Sequence, residues 1–353
     1  MSDLIFNELA ANNGCIGEII LNRPQALNAL NFNMVMLLLD KLNNWQQNDD
    51  IKAVIVRSNS SKAFCAGGDV VSLYEQGLES SDKPMPFFRH EYQLNCLIRS
   101  YAKPYICLLD GITMGGGVGI SLHGKYSLAT ENFSFAMPET GIGFFPDVGG
   151  GYLLTRCKKN FGTYLALTGK RISRADAIYA NLIKYSIKNE RQNEFVDGLL
   201  KLDLSSDIDE KVMALIHGFE DPDIGLASLI EYEESISNVF SLDSIESMLE
   251  QLQVIGGAWS DKTMSILASK SPTALKVTLA QMQHCQGLTM EDSMALEYRI
   301  VSRFMQGKDF FEGIRALLID KDKQPRWQPN ILSDISINDV EQYFAPLASE
   351  LWS

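Results

Sequence analysis

The chain has 353 residues, enough for one large domain or two unequal ones with a substantial buried core. Its 46% hydrophobic and 21% charged residues are those of an ordinary soluble globular protein, and a formal net charge of -13 argues against general affinity for nucleic acid or anionic membrane. No run approaches the ~18 uninterrupted apolar residues of a membrane span, and the six scattered cysteines (Cys15, Cys65, Cys96, Cys107, Cys157, Cys285) form no C-x-x-C pair and read as buried free thiols.

Met1 to Asn13 carries no Arg or Lys and no apolar signal core, so neither a secretory nor a transit peptide is visible. The expected setting is reduced and cytoplasmic, or the mitochondrial matrix if the source is eukaryotic and a presequence has been removed.

Cys15 to Asn22 (CIGEIILN) and Lys52 to Ser58 (KAVIVRS) predict short strands, β-branched and bounded by turn residues. Between them, Met34, Leu37, Leu38, Leu42 and Trp45 recur at helical spacing. Strand, helix and strand in this order predict a right-handed crossover. The pattern repeats, with a helix around Phe87 to Arg99 before the apolar run Tyr105 to Leu109. A Gly-rich loop and helix, Gly115 to His123, then lead to Tyr126 to Thr130.

Ala66–Gly68 and Gly115–Gly117 follow apolar strands, where glycine lets backbone approach a ligand and take positive φ. From about Phe161 the strand signals fade and helical patterns take over, with loops at Asp203 to Asp209 and Glu220 to Gly225. Ser271 to Gln283 opens on Ser then Pro, a helix start, and Glu291 to Gln306 is strongly amphipathic. The expected organisation is an α/β core over residues 1–200 and a mainly helical extension over 201–353 that packs on it.

Gly115, Gly116, Gly117 and Gly119 invite a dinucleotide reading. The G-x-G-x-x-G fingerprint needs glycine where Ile120 or Leu122 stands, and the loop comes too late in the chain for a first crossover. No Gly-Lys-Ser/Thr phosphate loop is present. Ser121 and His123 lie two apart on a predicted helix, do not face each other, and lack a G-x-S-x-G elbow, which favours a packed or surface role. The four histidines are too dispersed for metal-ligand spacing, so no metal is expected.

Carboxylates carry more. Glu139 lies in FAMPETGIG and Asp147 in FFPDVGGG, within an apolar, Gly-rich stretch. Taken singly, Glu139 reads as a helix N-terminal acid, Asp147 as a turn residue, and Glu91 in FFRHEYQLN as a surface acid. Two Gly-rich loops followed by two acids on a third change that reading. Thioester chemistry needs N–H donors converging on a carbonyl oxygen that becomes an oxyanion, with a carboxylate nearby.

These residues resemble the crotonase (enoyl-CoA hydratase/isomerase) superfamily. LNRPQALNALN, KAFCAGGD, GITMGGGVG and FAMPETGIGFFPDVGGG match its signature segments in order and spacing. PFFRHEYQLN, KPYICLLDGITMGGGVGISLHG and LEYRIVSRFMQGKDFFEGIRALLIDKDKQPRW are similar to its branch that hydrolyses short 3-hydroxyacyl-CoA thioesters. The match runs from Ile5 to about Pro329. It implies a ClpP-like α/β fold, a spiral of β-β-α units with a helical C-terminal part.

The resemblance further implies an oxyanion hole made by the backbone N–H groups of Gly68 and Gly116. It implies an acyl-CoA substrate held along the loop from Lys62 through Ala66 to Asp69, largely by backbone, with Lys62 and Lys323 as phosphate neighbours. Hydratases of the family carry two catalytic glutamates, one shortly after the Gly triplet and one in the P-E motif. Here the second is Glu139, but the first position is Gly119, which counts against hydration. The hydrolase pattern instead implies Glu139 as nucleophile or base, Asp147 on the substrate 3-hydroxyl or the water, and Glu91 at the acyl pocket. The implied substrate is 3-hydroxyisobutyryl-CoA of valine breakdown. No cofactor beyond the CoA of the substrate is implied, and a homo-oligomer is compatible with the resemblance. An enoyl-CoA hydratase or isomerase and a non-catalytic structural subunit are the alternatives.

Overall fold

Leu4–Ala11 (β1) and Gly14–Leu21 (β2) pair as an antiparallel hairpin, turning at Asn13 and Gly14, both at positive φ. Asn and Gly adopt that conformation at least cost. The hairpin feeds a helix, Phe32–Gln47, whose Asn31 cap accepts a hydrogen bond from the Met34 N–H at 2.9 Å. The helix returns the chain to Ile51–Ser58 (β3), parallel to β2, as the strand–helix–strand pattern predicts. Its buried face is Met34, Val35, Leu38, Leu42 and Trp45; Leu37, expected inside, is exposed and Val35 takes its place.

The computed structural model describes residues 2–353 and divides into two compact units. The first takes the chain up to Gly68, then Gln93–Phe135 and Ile172–Ser228. Beyond β3 its strands are Ala63–Cys65 (β4), Tyr105–Leu109 (β5), Ile112–Met114 (β6), Tyr126–Ala129 (β7), Ser134–Ala136 (β8), Ile172–Ser173 (β9) and Tyr185–Ser186 (β10). They form a six-stranded sheet in the order β1-β2-β3-β5-β7-β10 and a four-stranded sheet in the order β4-β6-β8-β9.

Ile16, Ala53, Ile55, Ile106, Leu108 and Leu128 line one face of the larger sheet. Phe195, Val196 and Leu199 of the helix Gln192–Lys201 cover it, with Val212, Ile216 and Phe219 of the helix Ile208–Phe219. The helical sequence after residue 200 is therefore shared. Residues up to Ser228 belong with the sheets, and Leu229–Ser353 belongs to the second unit. Strands β9 and β10 are two residues each, too short to leave a periodic signal.

The second unit takes Asp69–Tyr92, Ala136–Arg171 and Leu229–Ser353. Its centre is the helix Pro272–His284, which starts where Ser then Pro predicts; the Ser271 side chain accepts from the Ala274 N–H at 3.0 Å. The helix Met290–Phe304 buries Met294, Glu297, Val301 and Phe304 on one face. Phe144 stacks on Phe88 and makes edge or tilted contacts with Phe145, Phe304 and Phe310 at centroid distances of 4.7–5.9 Å. These rings wall the chain between Glu139 and Asp147 with apolar surface.

Candidate active site

The residues expected to carry the chemistry fall into two sets, one in each unit. In the first unit, β4 and β6 are parallel neighbours, so the loops leaving their C-terminal ends start side by side. Those loops are Ala66–Gly68 and Gly115–Gly117. Gly67 has φ +118°, Gly115 φ 45°, and a methyl group on Gly67 would stand 3.8 Å from the Gly116 nitrogen. A methyl group on Gly117 would overlap the Cys65 carbonyl, so the loops close only with glycine there.

The Ala66 N–H donates to the Leu27 carbonyl at 3.0 Å and the Gly67 carbonyl accepts from the Leu30 N–H at 2.8 Å. Among the described residues the N–H groups of Gly68 and Gly116 donate to no backbone acceptor in these loops. Asn28 fixes the first loop from beneath: its side-chain amide donates to the Phe64 carbonyl at 3.0 Å and the Ser58 hydroxyl at 2.7 Å. Lys62 is exposed and Ala66 half-buried at the start of this loop.

In the second unit, Glu91, Glu139 and Asp147 are all buried, at 2%, 7% and 6% exposure. Glu91 sits on the helix Met85–Arg99, where Phe88, Glu91 and Tyr92 share one face at i, i+3 and i+4. Glu139 opens a short 3₁₀ turn, Glu139–Ile142, capped by Gly143 at φ 68°. A side chain on Gly143 would overlap the Asp309 carbonyl. Asp147 accepts a hydrogen bond from the Tyr92 hydroxyl at 2.9 Å. Glu91 Oε1 and Glu139 Oε2 are buried with no hydrogen-bond partner. Buried acid oxygens left open are costly in a folded chain, and they mark places where a ligand group completes the bonding.

Burial, then the Asp147 charge, raises Glu139 well above the ordinary carboxylate range; Lys270 opposes the rise. Burial, then Asp147, does the same to Glu91. Burial raises Asp147 from 3.8 to about 7, against the Tyr92 hydrogen bond. The folded chain therefore holds the Asp147 proton more tightly than the unfolded one. Its contribution to stability is fully present below pH 3.8 and is lost as pH rises through about 7. Asp147→Asn, which still accepts from Tyr92, should raise unfolding stability near pH 8, where ionising the buried acid costs the wild type. Denaturant titrations should give a much smaller gain near pH ~5. An equal gain at both would show that Asp147 ionises normally.

The sequence profile of the enoyl-CoA hydratase/isomerase family matches residues 16–344. The chain is 41% identical over 343 residues to the mitochondrial 3-hydroxyisobutyryl-CoA hydrolase of Mus musculus, covering 97% of this chain and 89% of that one. It is 38% identical over 346 residues to that of Homo sapiens, covering 97% and 89%. Among solved structures, a carnitinyl-CoA dehydratase from Mycobacterium thermoresistibile matches at TM-score 0.91 and 33% identity, covering 99% of this chain and 98% of that one. An enoyl-CoA hydratase from Rhodobacter sphaeroides matches at 0.88 and 31%, covering 98% of each. The chain belongs to the enoyl-CoA hydratase/isomerase family.

Its fold is accordingly the crotonase fold that the motifs implied, α/β with a helical C-terminal part. Within the family these relatives' names divide between hydrolase and hydratase or dehydratase. Gly119, in the buried turn Gly116–Gly119, offers no carboxylate there. Ser121 and His123 are buried, and the Ser121 hydroxyl donates to the Gly117 carbonyl at 2.6 Å, the packed role expected of it.

Four residues of the second unit were not anticipated. Tyr92 grips Asp147. Lys270, its charge partly withdrawn from water, lies beside Glu139's own turn: a methyl group on Gly141 would be 3.1 Å from Lys270 Nζ. Glu297 is fully buried and accepts from the Gly149 N–H at 2.7 Å and the Gly151 N–H at 3.0 Å. Gln281 donates to Glu297 at 3.1 Å and to the Pro146 carbonyl at 2.8 Å. A single acid on the apolar face Met294–Val301 was a readable signal for Glu297; nothing local marks the other three.

Proposed function

We propose that this protein hydrolyses the thioester of 3-hydroxyisobutyryl-CoA, and of other short 3-hydroxyacyl-CoAs, to the free acid and CoA, as a step of valine breakdown. The observation that carries the reading is Glu139: a buried acid with an unpartnered oxygen, standing with Asp147 in an apolar wall. Identities of 38–41% to named 3-hydroxyisobutyryl-CoA hydrolases over nearly the whole chain support the same substrate. The working compartment is then the cytoplasm in a bacterium, or the mitochondrial matrix in a eukaryote.

In the proposed mechanism the Gly68 and Gly116 N–H groups polarise the thioester carbonyl and hold the oxyanion. Donors fixed in advance are worth roughly 3–4 kcal/mol each at such a site. Glu139 delivers the attack, either as base that takes a proton from water or as nucleophile that forms a mixed anhydride later opened by water. Collapse of the tetrahedral intermediate breaks the C–S bond, and the CoA thiolate leaves and takes up a proton. Asp147 accepts a hydrogen bond from the substrate 3-hydroxyl, Glu91 orients the acyl group, and the Lys62-to-Asp69 loop carries CoA mainly through backbone. Backbone donors suit an anionic ligand on a chain with net charge -13.

Hydration is the second reading, favoured by the names of the two solved structures at 31–33% identity. Adding water across a double bond in this family uses two carboxylates on that water, and Gly119 removes one. The protein should hydrate crotonyl-CoA negligibly, followed by loss of enoyl absorbance. Hydration as fast as thioester hydrolysis would reverse the choice between the two reactions.

A further inference from the structure

We propose that Glu297, with Gln281, is the positioning residue that holds the Asp147 turn in its working shape, and so sets the preference for 3-hydroxylated acyl groups. The inference rests on the role of Asp147 given above. Asp147 is followed by Val148 at φ 53° and Gly149 at φ 79°. Glycine takes a left-handed conformation freely, but a β-branched residue there is a genuine outlier that persists only when its surroundings over-determine it.

Beside the turn's own bond from the Gly150 N–H to the Asp147 carbonyl at 2.7 Å, one buried pair of side chains grips it. Glu297 accepts the N–H groups of Gly149 and Gly151, and Gln281 bridges Glu297 to the Pro146 carbonyl. The backbone is thus tied down immediately before Asp147 and two and four residues after it, while Tyr92 fixes the carboxylate itself. Glu297 has no cation among these partners; all three are neutral N–H donors pointing at its two oxygens. Burial raises Glu297 to about 8 against the pull of these three donors, and in its ionised form both oxygens accept. An amide in its place would turn an NH₂ toward an N–H and release one side of the turn.

The test is Glu297→Gln, read two ways. Hydrogen exchange of the amides at Gly149 and Gly151 should speed up at least tenfold in the variant, with the rest of the helix Met290–Phe304 unchanged. Unchanged exchange at both amides overturns the proposal, whatever the activity. In thioester hydrolysis, kcat/KM for 3-hydroxyisobutyryl-CoA should fall about 10–100-fold, and that for isobutyryl-CoA less than threefold. Equal losses on both substrates indicate a merely structural role and also overturn it. Gln281→Met, which keeps the length of the side chain and removes the donor together with an amide oxygen that has no partner, should shift the same ratio in the same direction if Glu297→Gln folds poorly; an unshifted ratio there counts against the proposal. A wild-type protein that releases no CoA from either substrate defeats the hydrolase reading instead, and the exchange result still decides the role of Glu297.

Discussion

Glu139→Gln is expected to lower turnover at least ~10²-fold while leaving CoA affinity nearly unchanged. The substitution keeps the shape and removes the charge that attacks the carbonyl or takes the proton from water. Glu139 is buried, and an amide of the same shape replaces it with little loss in packing. The same burial predicts the pH profile. With Glu139 and Asp147 both raised, the ascending limb of kcat against pH should lie above the ordinary carboxylate range. Lys270 limits the rise at Glu139, and Lys270→Met should move the limb further upward. A Glu139→Gln variant that retains more than about a tenth of wild-type turnover would remove Glu139 from the chemistry.

Asp147 should govern which acyl groups are accepted. A buried carboxylate offers more lone pairs than its bonds from Tyr92 and the backbone occupy, and the substrate 3-hydroxyl is the donor that reaches it in the proposed complex. 3-Hydroxyisobutyryl-CoA and 3-hydroxypropionyl-CoA should therefore be preferred over isobutyryl-CoA in kcat/KM. The ratio approaches ~10⁴ where a site binds a hydroxyl and excludes water, and falls as water replaces the missing group. Asp147→Ala should shrink the ratio mainly by slowing the hydroxylated substrates. Equal kcat/KM for hydroxylated and plain acyl-CoAs in the wild type would leave a generic short-chain thioesterase.

The parts of this protein legible in its sequence are those where periodicity or glycine spacing has a single structural solution. The crossover from β2 to β3 and the Ser-Pro start of the helix Pro272–His284 are of that kind, as are the glycines at 67 and 115 that sit at positive φ. β1 was missed because Leu4–Ala11 is half-exposed at the sheet edge and its apolar residues do not alternate cleanly. Glu91 reads as a surface acid because the polar residues Arg89 and His90 precede it; only its i, i+3 relation to Phe88 turns it inward. Tyr92, Lys270 and Gln281 lie far along the chain from the acids they serve, or carry no distinguishing spacing, and tertiary packing alone brings them to Glu139 and Asp147.

The central claim is that the thioester, rather than a double bond, is the bond this protein breaks. It is tested most directly by incubating the purified protein with 3-hydroxyisobutyryl-CoA and a thiol-reactive dye, beside a parallel reaction with crotonyl-CoA. The account predicts stoichiometric release of free CoA from the first and no appreciable loss of enoyl absorbance in the second. Rapid loss of that absorbance without thiol release from either substrate would contradict it.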